Sequence, residues 1–369
     1  DRTRMFDASY FRAVVSGREP GVRASMLRAG LSLAEPFYGI GVRWRNRRFD
    51  TGRRQIHRVD VPVISVGNLT VGGTGKTPMV EWLARWFRER GVRVALVSRG
   101  YGAEAGSRND EALELEQKLP DVPHLQNPDR VEAARTAIDE CETQLILLDD
   151  AFQHRRIHRD LNIVLLDALE PFGYGHLLPR GLLREPVAGL QRADVIALSR
   201  ADAVGQETRA AIRSKAMKHA PQAAWMEVAH QPQSLLSSSG NERAIDSLRG
   251  QRVAAFCGIG NPDGFRHTLG ELGAELVDFR EFPDHHAYQR GDIKTLSPNR
   301  DLHVDAVICT HKDLVKIGVE QLGDCPLFAL RIGLAISHGA DALTQRLEAI
   351  ANSIRTAEPG GPAGYRRSR

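Results

Sequence analysis

The chain has 369 residues, of which 42% are hydrophobic and 26% are charged, as in an ordinary globular protein. This length predicts two domains. The formal net charge of +4 is mild, and the four cysteines are too widely spaced to indicate a disulfide framework or a zinc site. We therefore expect a protein of a reducing compartment.

Residues 1–58 are predicted to form a basic, amphipathic segment, which fits either a membrane-proximal helix or a helix packed on the sheet with a solvated basic end. Residues 1–20 show little pattern and are interpreted as a weakly structured lead-in. Apolar residues at helical spacing predict an amphipathic helix over 23–44, which Pro36 should kink or divide. Residues 43–58 then hold seven arginines and one acid. The apolar runs are too short to span a bilayer, and no signal peptide is evident.

Strands and helices alternate over residues 59–235, the predicted first domain. The strand candidates are near-continuous apolar runs, which suit parallel strands buried on both faces. Their alternation with helices predicts a doubly wound, mostly parallel sheet. The predicted strands are 61–66, 94–98, 145–148, 163–166 and 195–198.

A second, smaller α/β domain is predicted over residues 248–352. The polar stretch 230–248 is interpreted as a linker between the domains. The tail 356–369, rich in Pro, Gly and Arg, is expected to be disordered. The predicted strands of the second domain are 253–256, 275–279, 306–309 and 327–330.

A glycine-rich loop lies between the first predicted strand and a predicted helix, which gives the first domain a P-loop NTPase-like fold. In such loops glycine backbones curl around phosphate oxygens, a lysine reaches the β- and γ-phosphates, and a hydroxyl reaches Mg²⁺. Lys76 and Thr77 fill the last two roles, while Thr70 replaces the usual first glycine. The predicted nucleotide-binding residues are Gly72, Gly73, Thr74, Gly75, Lys76 and Thr77.

Two adjacent acids, Asp149 and Asp150, follow the predicted strand 145–148. A carboxylate at the end of a buried strand orients Mg²⁺ opposite the hydroxyl of a phosphate loop, here Thr77. Side chains of adjacent residues in an extended strand point to opposite sides. We therefore expect one acid to face the metal and the other to face something else.

Six groups of motif residues occur in order between about residue 22 and residue 335. They are VGNLTVGGTGKTP at 66–78, SRGYG at 98–102, DDAFQH at 149–154, LLP and LREP within 177–186, GIGNP at 258–262 and FPDHH at 282–286. Together they resemble the tetraacyldisaccharide 4'-kinases of lipid A synthesis. The set is highly specific, although no single motif is.

The resemblance implies a kinase that transfers the γ-phosphoryl of ATP, with Mg²⁺, to the 4'-hydroxyl of a tetraacyl glucosamine disaccharide 1-phosphate, forming lipid IVA. It also implies two α/β domains with the active site in the cleft between them. An N-terminal helix would meet anionic lipid, which places the protein peripherally or monotopically at the cytoplasmic face of the inner membrane. The implied partners are therefore ATP, the lipid acceptor and the membrane surface, without nucleic acid.

The motifs also imply roles for individual residues. Asp110 is implied as the base that takes the proton of the acceptor hydroxyl, and Lys76 as the cation on the phosphates. His285, in preference to His286, is the implied partner of Asp110.

Further residues are implied to bind the metal or the substrate. Gln153 is implied beside the Mg²⁺ acids Asp149 and Asp150. Arg130 and Arg184 are candidates for substrate phosphate or transition-state charge, because guanidinium groups suit phosphate oxygens. Glu185 is a candidate for holding the cleft.

The chain departs from the family pattern without losing a principal catalytic group. Glycine is usual at 109 and 151, proline at 112, arginine at 176 and glutamate at 311. These differences bear on loop geometry and rate. The residues that stand there are Asn109, Ala112, Ala151, His176 and His311.

Three other functions fit parts of the pattern. A P-loop switch or metallochaperone-type NTPase often has a lysine where this chain has Val71. A GTPase would read guanine through an Asn-Lys-x-Asp motif, which residues 199–202 match only at Asp202. A basic membrane or nucleic-acid adaptor would not explain the Mg²⁺ acids. Nucleotide turnover with and without the lipid acceptor separates a kinase from a switch.

Overall fold

The fold is that of a computed structural model, which describes residues 8–100, 115–116, 118–259, 262–283, 286–298 and 302–357. These residues form two compact units. The first lies within 1–100, 121–229 and 335–369, and the second within 101–120 and 230–334. The domain boundaries derived from the sequence stay a prediction.

The α-helices of the described ranges differ widely in length, and the longest follows residue 21. They are α1 (Ala8–Ser16), α2 (Val22–Asp50), α3 (Lys76–Arg88), α4 (Arg130–Cys141), α5 (Gln206–Met217), α6 (Pro262–Glu271), α7 (Arg290–Leu296), α8 (His311–Ile317) and α9 (Ala340–Ala357).

The strands of the same ranges are short in the first unit, apart from two long ones, β7 and β13, that carry residues of both units. They are β1 (Val63–Asn68), β2 (Val94–Ser98), β3 (His124–Gln126), β4 (Leu145–Asp149), β5 (Leu161–Asp167), β6 (Val195–Ser199), β7 (Ala224–Leu236), β8 (Glu242–Ala244), β9 (Arg252–Cys257), β10 (Glu275–Glu281), β11 (Ala306–Thr310), β12 (Gln321–Leu322) and β13 (Cys325–His338).

The sheet of the first unit has the strand order β7-β6-β5-β1-β4-β2-β3, and each of these pairs is parallel. Its central strands are buried throughout, with hydrophobic clusters that include residues of α4 and α5. This confirms the predicted doubly wound parallel sheet. Val66 of β1 pairs with Asp149 of β4, so the loop after β1 and the acids after β4 lie at the same edge.

The second unit repeats the pattern on a smaller scale. Strands β10, β9, β11 and β13 are parallel neighbours in that order. Two hydrophobic clusters are built on alternating residues of these strands, and one of them includes α6 while the other includes α8. The predicted strands of this region therefore exist and lie side by side.

Two expectations about local structure are wrong, and one of the two alternatives for Pro36 is excluded. Residues 8–16 form α1, whose Val14 and Val15 are buried, so the lead-in is not weakly structured throughout. Pro36 lies inside a single helix, α2, and does not divide it. The stretch 230–248 is largely strand rather than linker, because β7 continues to Leu236 and pairs antiparallel with β8. Residues 358–369 of the tail lie outside the described ranges.

Candidate active site

The glycine-rich loop connects the end of β1 at Asn68 to the start of α3 at Lys76. Gly75, directly before α3, has a φ of 80°, and Gly72 has a φ of 116°. Residues with a Cβ rarely adopt such values, so both positions favour glycine. The curl brings the unpaired N–H groups of the helix start to the loop, which suits a phosphate group.

Thr70 stands where phosphate loops usually have their first glycine, and the structure shows why threonine fits. Thr70 forms an antiparallel bridge with Leu183. Next to it, the N–H of Arg184 donates to the carbonyl of Leu69 at 2.8 Å. Strand-like pairing of this kind needs no left-handed backbone, so a residue with a side chain is accommodated. The pairing also brings Arg184 to the loop.

The two acids after β4 occupy different positions. Asp149 is buried at the end of the strand. Asp150 has a φ of 48°, so the chain turns there and is not extended as the sequence suggested. Arg184 Nη1 donates to both carboxylate oxygens of Asp150, at 2.8 Å and 2.9 Å, and Lys76 Nζ lies 3.5 Å from Oδ1 of the same group.

Asp150 is held ionised by these two cations. Burial disfavours the charged carboxylate, but the charges of Lys76 and Arg184 outweigh burial and lower the pKa of Asp150 below its usual value. The carboxylate therefore holds the phosphate-loop lysine and the arginine of the LREP motif together at one point.

The site fits a magnesium ion that arrives with phosphate. In the described ranges no cluster of three or more His, Cys, Asp or Glu side chains is placed to hold a metal by itself. Nucleotide-bound Mg²⁺ needs only one or two carboxylates, because phosphate and water oxygens complete its shell. Thr77 in the first turn of α3 and the buried Asp149 are of the right chemistry, while Asp150 already pairs with two cations.

Glu185 is a fully buried carboxylate with several donors around it. Arg192 Nη2 donates to both of its oxygens, at 2.9 Å and 2.7 Å. Gln153 Nε2 donates to Glu185 Oε1 at 3.0 Å and to the Asn68 carbonyl at 2.8 Å. Asn46 of α2 also reaches Glu185, at 3.2 Å. In these contacts Gln153 joins the end of β1 to Glu185, and its predicted metal role stays a prediction.

Polar side chains of α2 hold the same segment from the other side. Glu35 accepts from the Leu177 N–H at 2.8 Å and pairs with His176 Nδ1 at 3.0 Å. The Tyr38 hydroxyl donates to the Arg184 carbonyl at 2.9 Å. Sequence analysis did not single out Glu35 and Tyr38, although polar groups three residues apart within an apolar helix are a signal of such contacts.

A second arginine contacts the phosphate loop. Arg200, in the segment weighed as a guanine-reading motif, donates through Nη2 to the Gly73 carbonyl at 3.4 Å. It forms an ion pair with Asp167 at the end of β5, with Nε to Oδ1 at 2.9 Å. The sequence analysis missed this support of the loop because Arg200 and Gly73 are 127 positions apart.

Comparison with known proteins identifies the family. Residues 27–352 match the family model described as LpxK, Tetraacyldisaccharide-1-P 4'-kinase. The chain belongs to this family. It is 38% identical over 342 residues to a Tetraacyldisaccharide 4'-kinase of Anaeromyxobacter sp. (strain Fw109-5), covering 88% of this chain and 92% of that one.

Further relatives agree. A Tetraacyldisaccharide 4'-kinase of Geobacter sulfurreducens is 36% identical over 338 residues, with 87% and 93% of the two chains covered. The crystal structure of LpxK from Aquifex aeolicus in complex with ATP is similar with a TM-score of 0.71 and 31% identity, covering 88% of this chain and 99% of that one. The resemblance seen in the motifs is thus confirmed, and the NTPase-switch alternative is not favoured.

Two of the implied catalytic residues of the LpxK family lie outside the described residues. They are Asp110 and His285, and the departures Asn109 and Ala112 also lie there. Their roles stay predictions.

The other departures have visible places in the LpxK fold. Ala151 is fully buried in the first unit's core, so its methyl group is packed. His176, where arginine is usual, pairs with Glu35 of α2, and His311 is buried at the start of α8.

His286, the second histidine of the LpxK motif at 282–286, is engaged within the second unit. Its Nε2 lies 3.1 Å from Oδ2 of Asp292, and this contact, after a backbone hydrogen bond from Gln289, lowers the pKa of Asp292. Its ring packs against Phe282 and Tyr288 at centroid distances of 4.8 Å and 5.0 Å. These contacts give His286 a structural place beside α7.

Asp313 joins three segments of the second unit. Its buried carboxylate accepts from the Gly258 N–H at 3.2 Å and 3.1 Å, and from the Tyr288 hydroxyl at 2.9 Å. The Thr310 hydroxyl donates to it at 2.6 Å. Burial and this carboxylate both raise the pKa of Tyr288. The GIGNP motif, Tyr288 just after the 282–286 motif, and the start of α8 are therefore held by one side chain.

Arg130, predicted to bind substrate phosphate, is almost fully buried at the start of α4. Its Nη1 lies 3.4 Å from the Pro128 carbonyl. It also acts on His154: burial, followed by the charges of Arg130 and Arg159, lowers the pKa of His154 to about 4. The predicted contact of Arg130 with substrate stays a prediction.

Proposed function

We propose that this kinase holds the triphosphate of ATP on residues 72–77 and transfers the γ-phosphoryl to the 4'-hydroxyl of a tetraacyl disaccharide 1-phosphate. The observation that carries the proposal is the meeting of Lys76 and Arg184 at Asp150, beside the glycine loop. Family membership gives the reaction, and this cluster supports the proposal that it takes place beside the glycine-rich loop.

On the donor side, the chain supplies positive charge and fixed backbone. Lys76 moves from Asp150 to the β- and γ-phosphates when ATP binds, while Arg184 keeps its two hydrogen bonds to Asp150 and faces the phosphoryl group. Thr77 and Asp149 are the residues that would hold Mg²⁺, which would supply positive charge to offset that of the phosphates. Gln153 and Glu185 hold the end of β1, where the glycine-rich loop begins, against the segment that carries Arg184.

On the acceptor side, a base takes the proton of the 4'-hydroxyl as the new bond forms. Asp110 is the proposed base and His285 its partner. The contacts of His286 with Asp292 and the neighbouring rings support the choice between the two histidines, because they give His286 a structural role. Arg130 is retained as a candidate for the anomeric phosphate.

The exposed side of α2 is proposed to bind the cytoplasmic face of the inner membrane. Leu33 and Phe37 are 75% and 77% exposed, and Ile40 and Trp44 are each 61% exposed, at spacings of three and four residues. Within the described residues, no helix combines the length and apolar character needed to cross a bilayer. Arginines near the end of α2 would each add about 1 kcal/mol of attraction to anionic lipid.

The proposal is tested by phosphoryl transfer from γ-labelled ATP to the disaccharide 1-phosphate in detergent. Lys76→Ala is expected to lower kcat/KM for ATP by orders of magnitude, because the loop loses its charge on the phosphates. Lys218→Ala, an exposed lysine beyond α5, is the control. ATP hydrolysis without any transfer to the acceptor would favour a switch, and normal kinetics of Lys76→Ala would refute the phosphate-loop assignment.

A further inference from the structure

Arg12 of α1 lies against the glycine-rich loop, upstream of the residues that match the family model, which begin at 27. A Cβ atom added to Gly72 would lie 2.6 Å from Nη2 of Arg12. The guanidinium thus occupies the space that a side chain at position 72 would fill. Two features therefore favour glycine at position 72. They are its φ of 116° and the space that the missing side chain leaves for Arg12.

The charge of Arg12 acts on a second arginine of the loop. Burial and then the charge of Arg12 lower the pKa of Arg200, the arginine that donates to the Gly73 carbonyl. Arg200 is neutralised by Asp167. Arg12, by contrast, forms no ion pair or hydrogen bond through its guanidinium with any residue of the described ranges. Asp167 and Asp202 both act on Arg200, whereas no carboxylate of the described ranges pairs with Arg12, so the guanidinium of Arg12 is the charge at this side of the loop that an anion would neutralise.

α1 is docked firmly enough to hold Arg12 in place. Val14 and Val15, in the turn after Arg12, are buried. Arg180 Nη1 donates to the Val15 carbonyl at 3.0 Å, and Arg28 Nη1 of α2 donates to the Val14 carbonyl at 3.3 Å. The helix is therefore fixed both to α2 and to the segment that pairs with the phosphate loop.

We propose that Arg12 contacts the terminal phosphates of bound ATP and stabilises the charge that develops on the transferred γ-phosphoryl. The inference rests on the proposed phosphoryl transfer. An arginine supplied to a phosphate loop in this way raises the rate of phosphoryl transfer by about 10³–10⁵-fold in other enzymes. Arg184 is already held by both oxygens of Asp150, so Arg12 adds a guanidinium that no carboxylate among the described residues restrains.

Arg12 forms no covalent bond in this step. The bond between the γ-phosphorus and the oxygen that bridges it to the β-phosphate breaks, and its electron pair stays on ADP. A bond forms between the phosphorus and the acceptor oxygen, whose proton passes to the base. Arg12 donates N–H groups to the phosphoryl oxygens throughout, most strongly when their charge is spread in the transition state.

Steady-state kinetics of Arg12→Ala with ATP and the lipid disaccharide give the first test. We expect kcat to fall about 10²–10³-fold with little change in KM for ATP, because the contact is strongest in the transition state. Arg18→Ala is the matched control, since Arg18 is an exposed arginine just after the same helix, and it should retain wild-type kinetics. A lower KM for ATP with unchanged kcat would mean that Arg12 only occupies the loop while no nucleotide is bound, and this result would overturn the proposal.

Binding of ADP with aluminium fluoride and Mg²⁺, measured without the acceptor, gives a second test that does not need the kinase reaction. The wild-type protein is expected to bind ADP more tightly when aluminium fluoride is present, and Arg12→Ala to lose that gain while binding ATP normally. Guanidinium ions should partly restore kcat of Arg12→Ala, which they would not do for a purely structural loss.

Arg12→Lys covers the case in which the alanine variant does not fold. Lysine keeps the charge and the aliphatic stem but not the planar donor group, so we expect a folded protein with a partial loss of kcat. The proposal would be overturned if both variants had the wild-type kcat. It would also be overturned if aluminium fluoride tightened ADP binding by either variant as much as it does for the wild-type protein. Inactivity of the wild-type protein on the lipid would instead count against the proposed function.

Discussion

Asp150 owes its role to one backbone angle. Aspartate is among the residues that tolerate a left-handed conformation, and the φ of 48° turns its carboxylate toward Lys76 and Arg184. The sequence predicts the acid and its strand, because both are local features. It does not predict the turn or the choice of partners, because Arg184 is 34 residues away and reaches Asp150 only through the pairing of its own segment with the loop.

His154 should make the stability of the first unit dependent on pH. Its pKa is lowered to about 4 in the folded protein, from 6.5 when unperturbed. Between these values the unfolded chain binds more protons, so stability is fully present above pH 6.5 and is lost as the pH falls toward 4. Because the imidazole is only partly buried, we expect the free energy of unfolding to fall by about 2 kcal/mol, which is less than the whole pKa shift would give.

The measurement is the free energy of unfolding by urea at several pH values between 7 and 4.5. His154→Gln should flatten this dependence, since glutamine does not titrate. His158→Gln, four positions along and paired with Asp160 at 3.6 Å, should leave it unchanged. Equal slopes for wild type and His154→Gln would show that other groups cause the acid sensitivity.

At the scale of elements, α2 shows where local sequence rules fail. Pro36 predicts a break, yet the helix is continuous from Val22 to Asp50. Contacts on both sides of Pro36 explain this, because Glu35 and Tyr38 are both tied to the segment 176–185. The strands were easier to predict: the apolar run 94–98 coincides with β2, because burial on both faces leaves an unbroken apolar signature.

The exposed stripe of α2 should decide membrane binding. Phe37→Asp is expected to weaken binding to vesicles containing anionic phosphatidylglycerol by about tenfold or more, because it removes an apolar side chain from the lipid contact and adds a negative charge. Ser32→Asp places the same charge at another exposed position of α2 and is the control. Sedimentation with vesicles measures both, and equal loss in the two variants would mean that charge alone, and not the stripe, governs binding.

At the scale of the whole molecule, the two units are each ordered by a buried carboxylate that gathers distant segments. Glu185 does this in the first unit and Asp313 in the second. Neither network was predictable from sequence, since composition and spacing do not reveal which buried acid has donors. What the sequence did predict was the order of the strands along the chain and the LREP motif that carries Glu185.

Asp313→Asn should destabilise the second unit by about 1–3 kcal/mol, because an amide cannot accept all the hydrogen bonds that the carboxylate accepts. Hydrogen exchange of backbone amides in β9 and β11 measures this locally. Asp324→Asn, at an exposed turn before β13, is the control. Unchanged protection of these amides in Asp313→Asn would show that the hydrogen bonds to Asp313 contribute little to holding the unit together.

The thickness of the continuous helix α2 also sets the distance between its exposed stripe and the side chains that contact the site. Phe37 faces outward and the adjacent Tyr38 holds the Arg184 carbonyl, so the outward-facing and site-facing side chains lie at the same level along the helix axis. A helix with its side chains is about 10 Å across. On a membrane bound through the stripe, α2 would act as a spacer of that thickness, and a sugar hydroxyl could reach the phosphate site while the acyl chains stay in the bilayer.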